Sequence, residues 1–549
     1  MKISIAQLDP KVGDLDANLA LIRKARMLGA SRGADLVVYS ELVVSGYPPE
    51  DLVQKKSFQN SCKNAVMELV KDSADGGPAM LLSAPWPEGD KIYNGALLID
   101  GGKLCAVIAK CKLPNYGVFD EVRLFDAGPC PVATQFRDHK LGIMTCEDMW
   151  DGEATKSLGD SGAEILIVLN ASPFEMDKTN ERIKLANARV RESGLGLIYV
   201  NQVGGQDELV FDGASFVMSA NGKLKSRLPA FVSSVETISF STDDGFEPAE
   251  ATIHIDMKEN EAIYSALVMG LRDYVNKNFF PGVMIGLSGG VDSALSAAIA
   301  VDALGAERVH CVMMPSPYTS KESLEDAAET ARLLGVKLDN ISIEPAMNAF
   351  DEMTKEQFVG HPKDTTEENI QARSRGVLLM AISNKFGHMV LSTGNKSEMS
   401  VGYATLYGDM CGGYSVLKDV YKTRVWELCR WRNLNHTNFL EGPNGLVIPE
   451  RVITKAPSAE LKPNQTDQDS LPPYEELDDI LHCLIELEMP SSEIVKHGHS
   501  AETVARVWKM LDNAEYKRRQ APPGVKISSR AFGRDRRYPI TNGFRTDKS

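Results

Sequence analysis

The sequence predicts an α/β protein built from two domains. Its 549 residues exceed the size that one hydrophobic core usually supports. In both halves, short β-branched runs alternate with stretches of helical period, a pattern typical of layered α/β folds. The composition, with 43% hydrophobic and 25% charged residues, is that of an ordinary globular chain.

The first half supplies the first α/β series. The strand-like runs ISIAQL, LVVYSE, GALLID, LGIMTC, ILIVLN and LGLIYVN alternate with polar or helical stretches such as LDANLALIRKARMLGA. Between residues 220 and 260 the segments become rich in Gly, Ser and acidic residues, and a strong amphipathic helix is predicted from around Asn260. We therefore predict one domain over residues 1–255 and a second over residues 256–549.

The second half begins a new series, which predicts a doubly wound parallel sheet. The strand VMIGLSGG leads into a helix from about Val291, the strand RVHCVMMP leads into a helix from about Ser320, and a third strand is HMVLSTGN. The later segment KAPSAELKPNQTDQDSLPPYEEL is rich in Pro, Asn and Asp. That composition suits a functional loop that closes over a nucleotide.

Charge and cysteine usage narrow the class of partner. The net charge of −15 opposes binding to long nucleic acids. No run approaches 18 apolar residues, and the N-terminus lacks an apolar signal core, so we expect neither membrane insertion nor secretion. Nine scattered cysteines without CxxC pairs favour reduced thiols in a cytoplasm.

The most specific motif of the second half is GLSGGVDS, which lies between an apolar strand and an apolar helix. In that position free backbone N–H groups and the helix dipole would face an anion such as phosphate. The loop lacks the lysine of the Walker motif, so Mg²⁺ held by acidic residues would have to supply that charge. The alternative is a simple strand-to-helix turn. The ATP-binding residues predicted from this loop are Gly286, Leu287, Ser288, Gly289, Gly290, Val291, Asp292 and Ser293.

A second metal ligand is predicted downstream, in LSTGNKSE. This segment follows another buried strand, so Thr393 and Glu398 would lie at the carboxyl edge of the sheet, where open α/β folds bind ligands. Asp292 and Glu398 as paired oxygen ligands suit a triphosphate whose pyrophosphate must leave. The alternative is that Glu398 is a solvated residue at a helix start.

Three segments of the first half each place a reactive residue at the end of an apolar strand. They are YSELVVSGYPPEDL, AVIAKCKLPNYGVFDE and GIMTCEDMW. A cysteine that attacks an amide needs a base and a cation that stabilises the oxyanion, and Glu41, Lys110 and Cys146 supply these three roles. Taken singly, each residue also has a purely structural explanation, as an acid at a helix start, a surface charge or a buried small hydrophobe.

Together, the three segments resemble the nitrilase superfamily. The motifs E-L-x-x-x-G-Y-P-P, K-x-x-L-P-x-Y and C-E-D-x-W are all present. The resemblance implies an N-terminal α-β-β-α sandwich that hydrolyses an amide through Glu41, Lys110 and Cys146. It places the catalytic lysine at Lys110 rather than Lys112, because the spacing to the L-P-x-Y residues fixes the register.

The phosphate loop resembles the pyrophosphatase-type ATP loop, SGGxDS, of adenine nucleotide alpha hydrolase-like domains. Enzymes with this loop cut ATP between the α and β phosphates, typically to activate a carboxylate or carbonyl oxygen as an adenylate. With the strings ENIQARSRG, STGNKSE, GYATLYGDM and YKRRQAPPG, the chain resembles the glutamine-dependent NAD synthetase family over nearly its full length. That resemblance implies ATP-dependent amidation of deamido-NAD with ammonia released from glutamine.

Further site residues are implied by the resemblance alone. The residues that would position glutamine are Tyr116, Ser172 and Lys178. Those expected around ATP, beyond the loop, are Thr393, Lys422 and Ser458. Those expected to contact deamido-NAD are Asn369, Arg373, Glu398 and Lys517. The resemblance also implies Mg²⁺ as cofactor, with Asp292 and Glu398 as its ligands, ATP as co-substrate and a homo-oligomer.

Ammonia is mostly protonated at neutral pH and then not nucleophilic, so we expect a water-excluding route between the two sites. Three other functions stay open. One is another amidating ligase with the same ATP loop, against which the distal strings argue. A second is a scaffold with two degenerate folds, which the intact motifs disfavour. The third is an amidase with a regulatory nucleotide-binding domain, which would produce no AMP.

Overall fold

The computed structural model describes residues 1–242 and 245–544. The chain divides into two compact units, Met1–Met257 and Lys258–Ser549. In the described ranges no helix is both long and apolar enough to cross a membrane.

The first unit combines three sheets with helices of 4 to 17 residues. Its strands are β1 (Lys2–Gln7), β2 (Leu36–Tyr39), β3 (Ala79–Glu88), β4 (Lys91–Asp100), β5 (Lys103–Ala109), β6 (Thr134–Phe136), β7 (His139–Thr145), β8 (Ile165–Asn170), β9 (Gly196–Asn201), β10 (Val203–Gln206), β11 (Leu209–Asp212), β12 (Phe216–Met218), β13 (Leu224–Arg227), β14 (Ser234–Ser241) and β15 (Glu247–Pro248). Its helices are α1 (Leu15–Ser31), α2 (Lys56–Asp72), α3 (Glu121–Leu124), α4 (Gly152–Asp160) and α5 (Lys178–Ser193).

Two large sheets form the centre of this unit. One has the order β15-β14-β1-β2-β3-β4-β5 and the other the order β13-β12-β9-β8-β7-β6. Strands β1, β2 and β3 run parallel, and so do β7, β8 and β9. Two of the three predicted catalytic residues follow the carboxyl ends of the parallel strands β2 and β7, and the third follows β5, which pairs antiparallel with β4.

The sheets pack face to face, and helices cover their outer faces. Ile5 and Leu81 of the first sheet share one apolar core with Ile143 and Ile167 of the second, and all four side chains are fully or almost fully buried. Separate cores join α1 and α2 to the first sheet and α4 and α5 to the second. The layers are therefore helix, sheet, sheet and helix, which confirms the predicted α/β sandwich.

The second unit is built on one smaller sheet. Its strands are β16 (Val283–Gly286), β17 (Val309–Met313), β18 (Lys337–Asn340), β19 (Met389–Ser392) and β20 (Tyr414–Ser415). Its helices are α6 (Glu259–Lys277), α7 (Val291–Leu304), α8 (Lys321–Leu334), α9 (Glu344–Thr354), α10 (Thr365–Phe386), α11 (Lys396–Val401), α12 (Lys422–Leu434), α13 (Glu450–Thr454), α14 (Tyr474–Ile485), α15 (Ser491–Lys496), α16 (Ala501–Asn513) and α17 (Glu515–Arg518).

All strand pairs of this sheet are parallel, and the strand order is β18-β17-β16-β19-β20. The chain winds outward from β16 in one direction and then from β19 in the other, which confirms the doubly wound prediction. Such a reversal of strand order opens a crevice at the carboxyl ends of the central strands. The phosphate loop follows β16, so the fold places it at that crevice.

Candidate active sites

Cys146 occupies a strained turn at the end of β7. Its backbone φ is +43°, a left-handed value that is uncommon for any residue other than glycine. Asp148 holds this turn, because its Oδ2 accepts the Thr145 N–H at 3.0 Å while its Oδ1 accepts the N–H groups of Cys111 and Lys112 at 3.0 and 2.8 Å. One buried carboxylate thus ties the cysteine turn to the residues that follow Lys110.

Lys110 lies between two buried carboxylates. Its Nζ donates to Glu41 Oε1 at 2.7 Å and to both carboxylate oxygens of Glu121 at 2.9 and 2.8 Å. Glu41 is held in turn by the Asn94 side-chain amide at 2.7 Å and the Ala171 N–H at 3.0 Å. The side chains of Lys110 and Glu41 are completely buried, so water does not screen these charges.

Burial sets the protonation states of this cluster. The pKa of the Cys146 thiol is raised well above its usual value, first by burial and then by the negative charge of Glu41, while Lys110 acts in the opposite direction. The pKa of Lys110 is also raised, because the charges of Glu121 and Glu41 outweigh the lowering that burial causes. The resting cluster therefore holds a neutral thiol beside an ammonium ion, and the thiol needs a base before it can attack.

Charged and aromatic side chains surround the approach to this cluster. The Tyr116 hydroxyl donates to Glu147 Oε2 at 3.0 Å, and Lys178 Nζ lies 4.6 Å from the centre of the Trp150 ring. Glu147 and Lys178 are close enough for the lysine charge to oppose the rise in pKa that burial causes in Glu147. A carboxylate and an ammonium group thus lie near each other beside the cluster, and Lys178 Nζ is also paired with Glu181 at 2.7 Å.

Ser172 is fixed by a buried ion pair. Arg182 Nε donates to the Ser172 hydroxyl at 3.1 Å and an Nη donates to the Ser172 carbonyl at 2.9 Å. The same guanidinium contacts both carboxylate oxygens of Asp212 at 2.8 and 2.9 Å. Because Arg182 is held on both sides, Ser172 has one defined position just beyond the end of β8.

In the second unit, the loop between β16 and α7 has the form of a phosphate cradle. Gly289 has φ +83°, and a Cβ at this residue would lie 2.3 Å from the Ser323 carbonyl oxygen. Ser288 and Ser293 bring their hydroxyl oxygens within 3.1 Å of each other, and the Gly290 N–H donates to Ser288 Oγ at 3.3 Å. Only glycine fits at residue 289, and the two hydroxyls lie at the N-terminus of α7.

Two acids beside this loop surround one cation position. Lys422 Nζ contacts Asp292 Oδ2 and lies 3.0 Å from Glu398 Oε1, while the Asn395 amide donates to Asp292 Oδ1 at 2.8 Å. Burial raises the pKa of Glu398 to about 7, against the opposing effect of Lys422 and with a further contribution from the charge of Asp292. Oxygen ligands around one cation position fit Mg²⁺. Within the described residues no group of three or more His, Cys, Asp or Glu side chains is arranged to hold a metal.

A cavity of about 590 Å³ extends from the loop across the strand ends. Fourteen of the predicted nucleotide-site residues line it; they are Gly286, Leu287, Ser288, Gly289, Gly290, Val291, Asp292, Ser293, Asn369, Thr393, Glu398, Lys422, Ser458 and Lys517. Arg373 is not among the lining residues; it is exposed, and its Nε donates to the Leu406 carbonyl at 3.2 Å. Residues of the segment rich in Pro, Asn and Asp that was predicted to close over a nucleotide, including Asp467, also line the cavity.

Comparisons with known proteins match the two parts of the chain to two different families. Residues 2–242 match the carbon-nitrogen hydrolase family, and residues 263–521 match the NAD synthase family. The chain is 47% identical to a glutamine-dependent NAD(+) synthetase of Rhodobacter capsulatus, over 99% of both chains, and 45% identical to one of Acinetobacter baylyi, over 100% of this chain and 99% of the relative. It belongs to the glutamine-dependent NAD(+) synthetase family.

A solved structure gives the same result for the fold. The glutamine-dependent NAD+ synthetase of Acinetobacter baumannii, in complex with adenosine diphosphate, is 43% identical, with a TM-score of 0.79 over 100% of this chain and 99% of that chain. The resemblance drawn from the sequence motifs is therefore confirmed at the level of the family.

The geometry also identifies two residues of this synthetase that the sequence analysis missed. Glu121 is buried and bonded to Lys110, and the Tyr47 hydroxyl donates to it at 2.9 Å. It lies eleven residues after Lys110, at the start of α3 and not at the end of a strand. Glu147 follows Cys146 directly and was treated only as part of the C-E-D-x-W motif. The pairing of both acids could be found only from the structure.

Proposed function

We propose that this chain converts deamido-NAD to NAD, using ATP and the amide nitrogen of glutamine and releasing AMP, pyrophosphate and glutamate. The observation that carries the proposal is the presence, in one chain of this family, of a buried acid–lysine–cysteine cluster and a phosphate-loop cavity. The first feature suits amide hydrolysis and the second suits adenylation. An enzyme that only hydrolysed amides would not need the phosphate-loop cavity, and one that only adenylated its substrate would not need the cysteine cluster.

In the amidase unit, Glu41 takes the thiol proton as Cys146 attacks the carboxamide carbon of glutamine. Lys110, which remains charged, stabilises the oxyanion of the tetrahedral intermediate. Glu41 then gives the proton to the departing nitrogen, and ammonia leaves behind a γ-glutamyl thioester. Water, activated by the same carboxylate, hydrolyses the thioester to glutamate.

Glutamine would be held by groups that complement its two charges. Lys178 pairs with the α-carboxylate and Glu147 with the α-ammonium group, while Tyr116 and Ser172 fix the rest of the substrate. The proposal is supported by the proximity of Glu147 and Lys178 and by the bond from Tyr116 to Glu147. Glu121 is a positioning residue, because it holds Lys110 without itself meeting the substrate.

In the synthetase unit, residues 286–293 would hold the phosphates of ATP through backbone N–H groups and the Ser288 and Ser293 hydroxyls. Thr393 and Ser458, which line the same cavity, would contact the nucleotide. Asp292 and Glu398 would hold Mg²⁺, which would offset phosphate charge and assist departure of pyrophosphate. Lys422, which contacts both acids, would offset phosphate charge that the loop leaves exposed.

Deamido-NAD would enter the same cavity, with Asn369, Glu398 and Lys517 on its wall and Arg373 outside it. A carboxylate oxygen of the nicotinate attacks the α-phosphorus, and the bond from that phosphorus to the pyrophosphate oxygen breaks. Ammonia then attacks the acyl carbon of the adenylate, AMP leaves with the electron pair of the broken C–O bond, and the nitrogen releases one proton to solvent. The amide product is NAD.

The cell compartment and assembly follow from the same proposal. All three substrates, deamido-NAD, ATP and glutamine, are soluble metabolites, so we place the enzyme in the cytoplasm, without a nucleic-acid or membrane partner. We also propose a homo-oligomer, which sedimentation of the full chain would test through its mass.

The decisive experiment follows AMP and NAD formation from deamido-NAD, ATP and Mg²⁺, with glutamine or with an ammonium salt, in the wild type and in Cys146→Ala. The expected result is that the variant loses glutamine-driven synthesis and keeps ammonia-driven synthesis. If the wild type forms neither AMP nor NAD, the acceptor is another carboxylate. Formation of glutamate without AMP would instead identify an amidase with a regulatory nucleotide domain.

A further inference from the structure

The synthetase cavity contains a cation, Arg375, whose terminal nitrogens have no partner among the described residues. Four positively charged side chains line the cavity: Arg375, Lys422, Lys455 and Lys517. Lys422 is held by Asp292 and Glu398, as described above. The other three cations differ sharply in how far the protein occupies their donors.

Lys455 and Lys517 are both engaged. Lys455 lies 3.2 Å from Glu460 and donates to the Ser323 hydroxyl at 2.5 Å. Lys517 donates to the carbonyl oxygens of Gly402 and Ala404 at 2.8 and 2.7 Å. These contacts orient both ammonium groups toward the protein.

Arg375 differs from these lysines. In the described part of the chain its single hydrogen bond runs from Nε to the Met314 carbonyl at 3.0 Å, and it forms no ion pair. Its terminal nitrogens are not fully buried. They are therefore accessible from the cavity that the residue lines. Asp409 and Glu460 act on it only as more distant charges. The side chain is thus anchored at one nitrogen and offers a two-nitrogen fork.

The position of that fork is defined by its helix. Arg375 lies one turn before Leu379 on α10, and a Cβ at Gly286 would lie 3.4 Å from Leu379 and 3.2 Å from Met314. This turn of α10 therefore packs on the first residue of the phosphate loop. The bond to Met314 fixes the guanidinium at the end of β17, the neighbour of β16.

A nucleotide bound to the loop would pass between the ends of β16 and β17. The cavity is lined both by the loop at the end of β16 and by Met313, Met314 and Pro315 at the end of β17, so a nucleotide whose outer phosphates lie at the loop can extend toward β17. The α-phosphate joins the outer phosphates to the adenosine. A guanidinium fork anchored on β17 therefore has the geometry to meet two oxygens of that phosphate.

We propose that Arg375 is a further catalytic residue of the synthetase site, whose terminal nitrogens donate to the non-bridging oxygens of the α-phosphate of ATP. This inference rests on the proposed function and specifies its adenylation step. In that step the nicotinate oxygen forms a bond to the α-phosphorus and pyrophosphate leaves with the electron pair, so no proton is transferred. Arg375 steadies the equatorial oxygens while the attacking and leaving oxygens are both attached.

The test uses the full chain with Arg375→Met, Arg375→Lys and, as matched control, Arg332→Met. Arg332 is exposed on α8, pairs with Glu329 and does not line the cavity, so we expect its loss to leave the cavity unchanged. Exchange of labelled pyrophosphate into ATP, measured with deamido-NAD and without a nitrogen source, reports the adenylation step directly. Ammonia-driven NAD formation gives kcat and the KM for ATP, and equilibrium dialysis with ATP shows whether the cavity is intact.

We expect Arg375→Met to lower both the exchange rate and kcat by about 10²–10³, with a much smaller effect on ATP binding. Arg375→Lys should recover part of the rate, because it restores the charge without the fork. A rate equal to that of Arg332→Met would overturn the inference. So would a rise in the KM for ATP at unchanged kcat, or a lysine variant no better than the methionine variant. If wild-type chain shows no exchange with deamido-NAD, the proposed function itself fails.

Discussion

Replacing Lys110 by methionine tests the amidase site most sharply, because Lys112, two residues away, provides a matched control. Lys110 Nζ is completely buried and contacts Glu41 and Glu121, whereas Lys112 is partly exposed and pairs with Asp151 and Glu153 at the surface. Both changes remove one lysine charge and keep an unbranched side chain. They differ in burial and in the charges that they leave behind.

The expected loss of activity follows from the contacts. Lys110→Met removes the cation that faces the oxyanion, and the loss of one such donor costs about 10²–10³ in kcat for glutamine hydrolysis. It also leaves two buried carboxylates without a counter-charge, which costs about 3–5 kcal/mol when a buried pair is broken from one side. Since domains are stable by about 5–15 kcal/mol, most molecules should still be folded at room temperature.

The assay measures glutamate release and, in the same preparation, NAD formation with an ammonium salt. Lys110→Met should lose the first activity and keep the second, and urea unfolding should shift to a lower midpoint. Lys112→Met should stay within about twofold of wild type in both activities, because exposed ion pairs contribute little. If Lys110→Met kept more than roughly a tenth of its glutamine hydrolysis, or if Lys112→Met lost as much, the assignment of the catalytic lysine would be refuted.

Four further predictions concern other groups. Ammonia-driven synthesis should need more Mg²⁺ as the pH falls through about 7, because Glu398, whose pKa is raised to about 7, then takes up a proton and loses its negative charge. A Mg²⁺ titration on either side of this pH measures the change in Mg²⁺ requirement. Glu398→Gln should abolish this dependence of the Mg²⁺ requirement on pH. Gly289→Ala should abolish ATP-dependent synthesis but spare glutamine hydrolysis, because its Cβ would lie 2.3 Å from a carbonyl oxygen; equal loss of both activities would contradict this. Glu147→Gln should raise the KM for glutamine by about tenfold or more, since a charge-assisted bond to the ammonium group is lost; an unchanged KM would exclude that contact. With labelled ammonium and unlabelled glutamine present together, mass spectrometry should find the glutamine nitrogen in NAD, whereas full exchange with the label would exclude an enclosed route.

The fold could be predicted because its causes are local. Strands that are buried on both faces appear in the sequence as short β-branched runs, and the change of composition before Asn260 precedes α6, which begins at Glu259. The phosphate loop was equally accessible, since a strand, a glycine turn and a helix are consecutive in the chain. Pattern and structure coincide for these elements because each depends on residues that are consecutive in the chain.

Glu121 could not be predicted in this way. Its partner Tyr47 lies 74 positions away in the chain, and Lys110 reaches it across a loop rather than along a strand. Arg375 was likewise part of a recognised string, but only the cavity distinguishes it from its exposed neighbour Arg373. Packing decides which distant residues pair and which side of a helix faces a ligand. These features therefore could not be predicted from one sequence.

The two sites use the same arrangement, a lysine between two acids, for different purposes. At Lys110 the cation is sealed, with a completely buried side chain and two carboxylates that raise its pKa, so no ligand can displace it. At Lys422 all three residues line the nucleotide cavity, the two acids are partly exposed, and burial raises the pKa of Glu398 to about 7. Asp292 and Glu398 repel each other, and without nucleotide the positive charge of Lys422 offsets this repulsion. A permanent cation suits an oxyanion that forms in every cycle, whereas a displaceable one suits a metal that enters and leaves with its substrate.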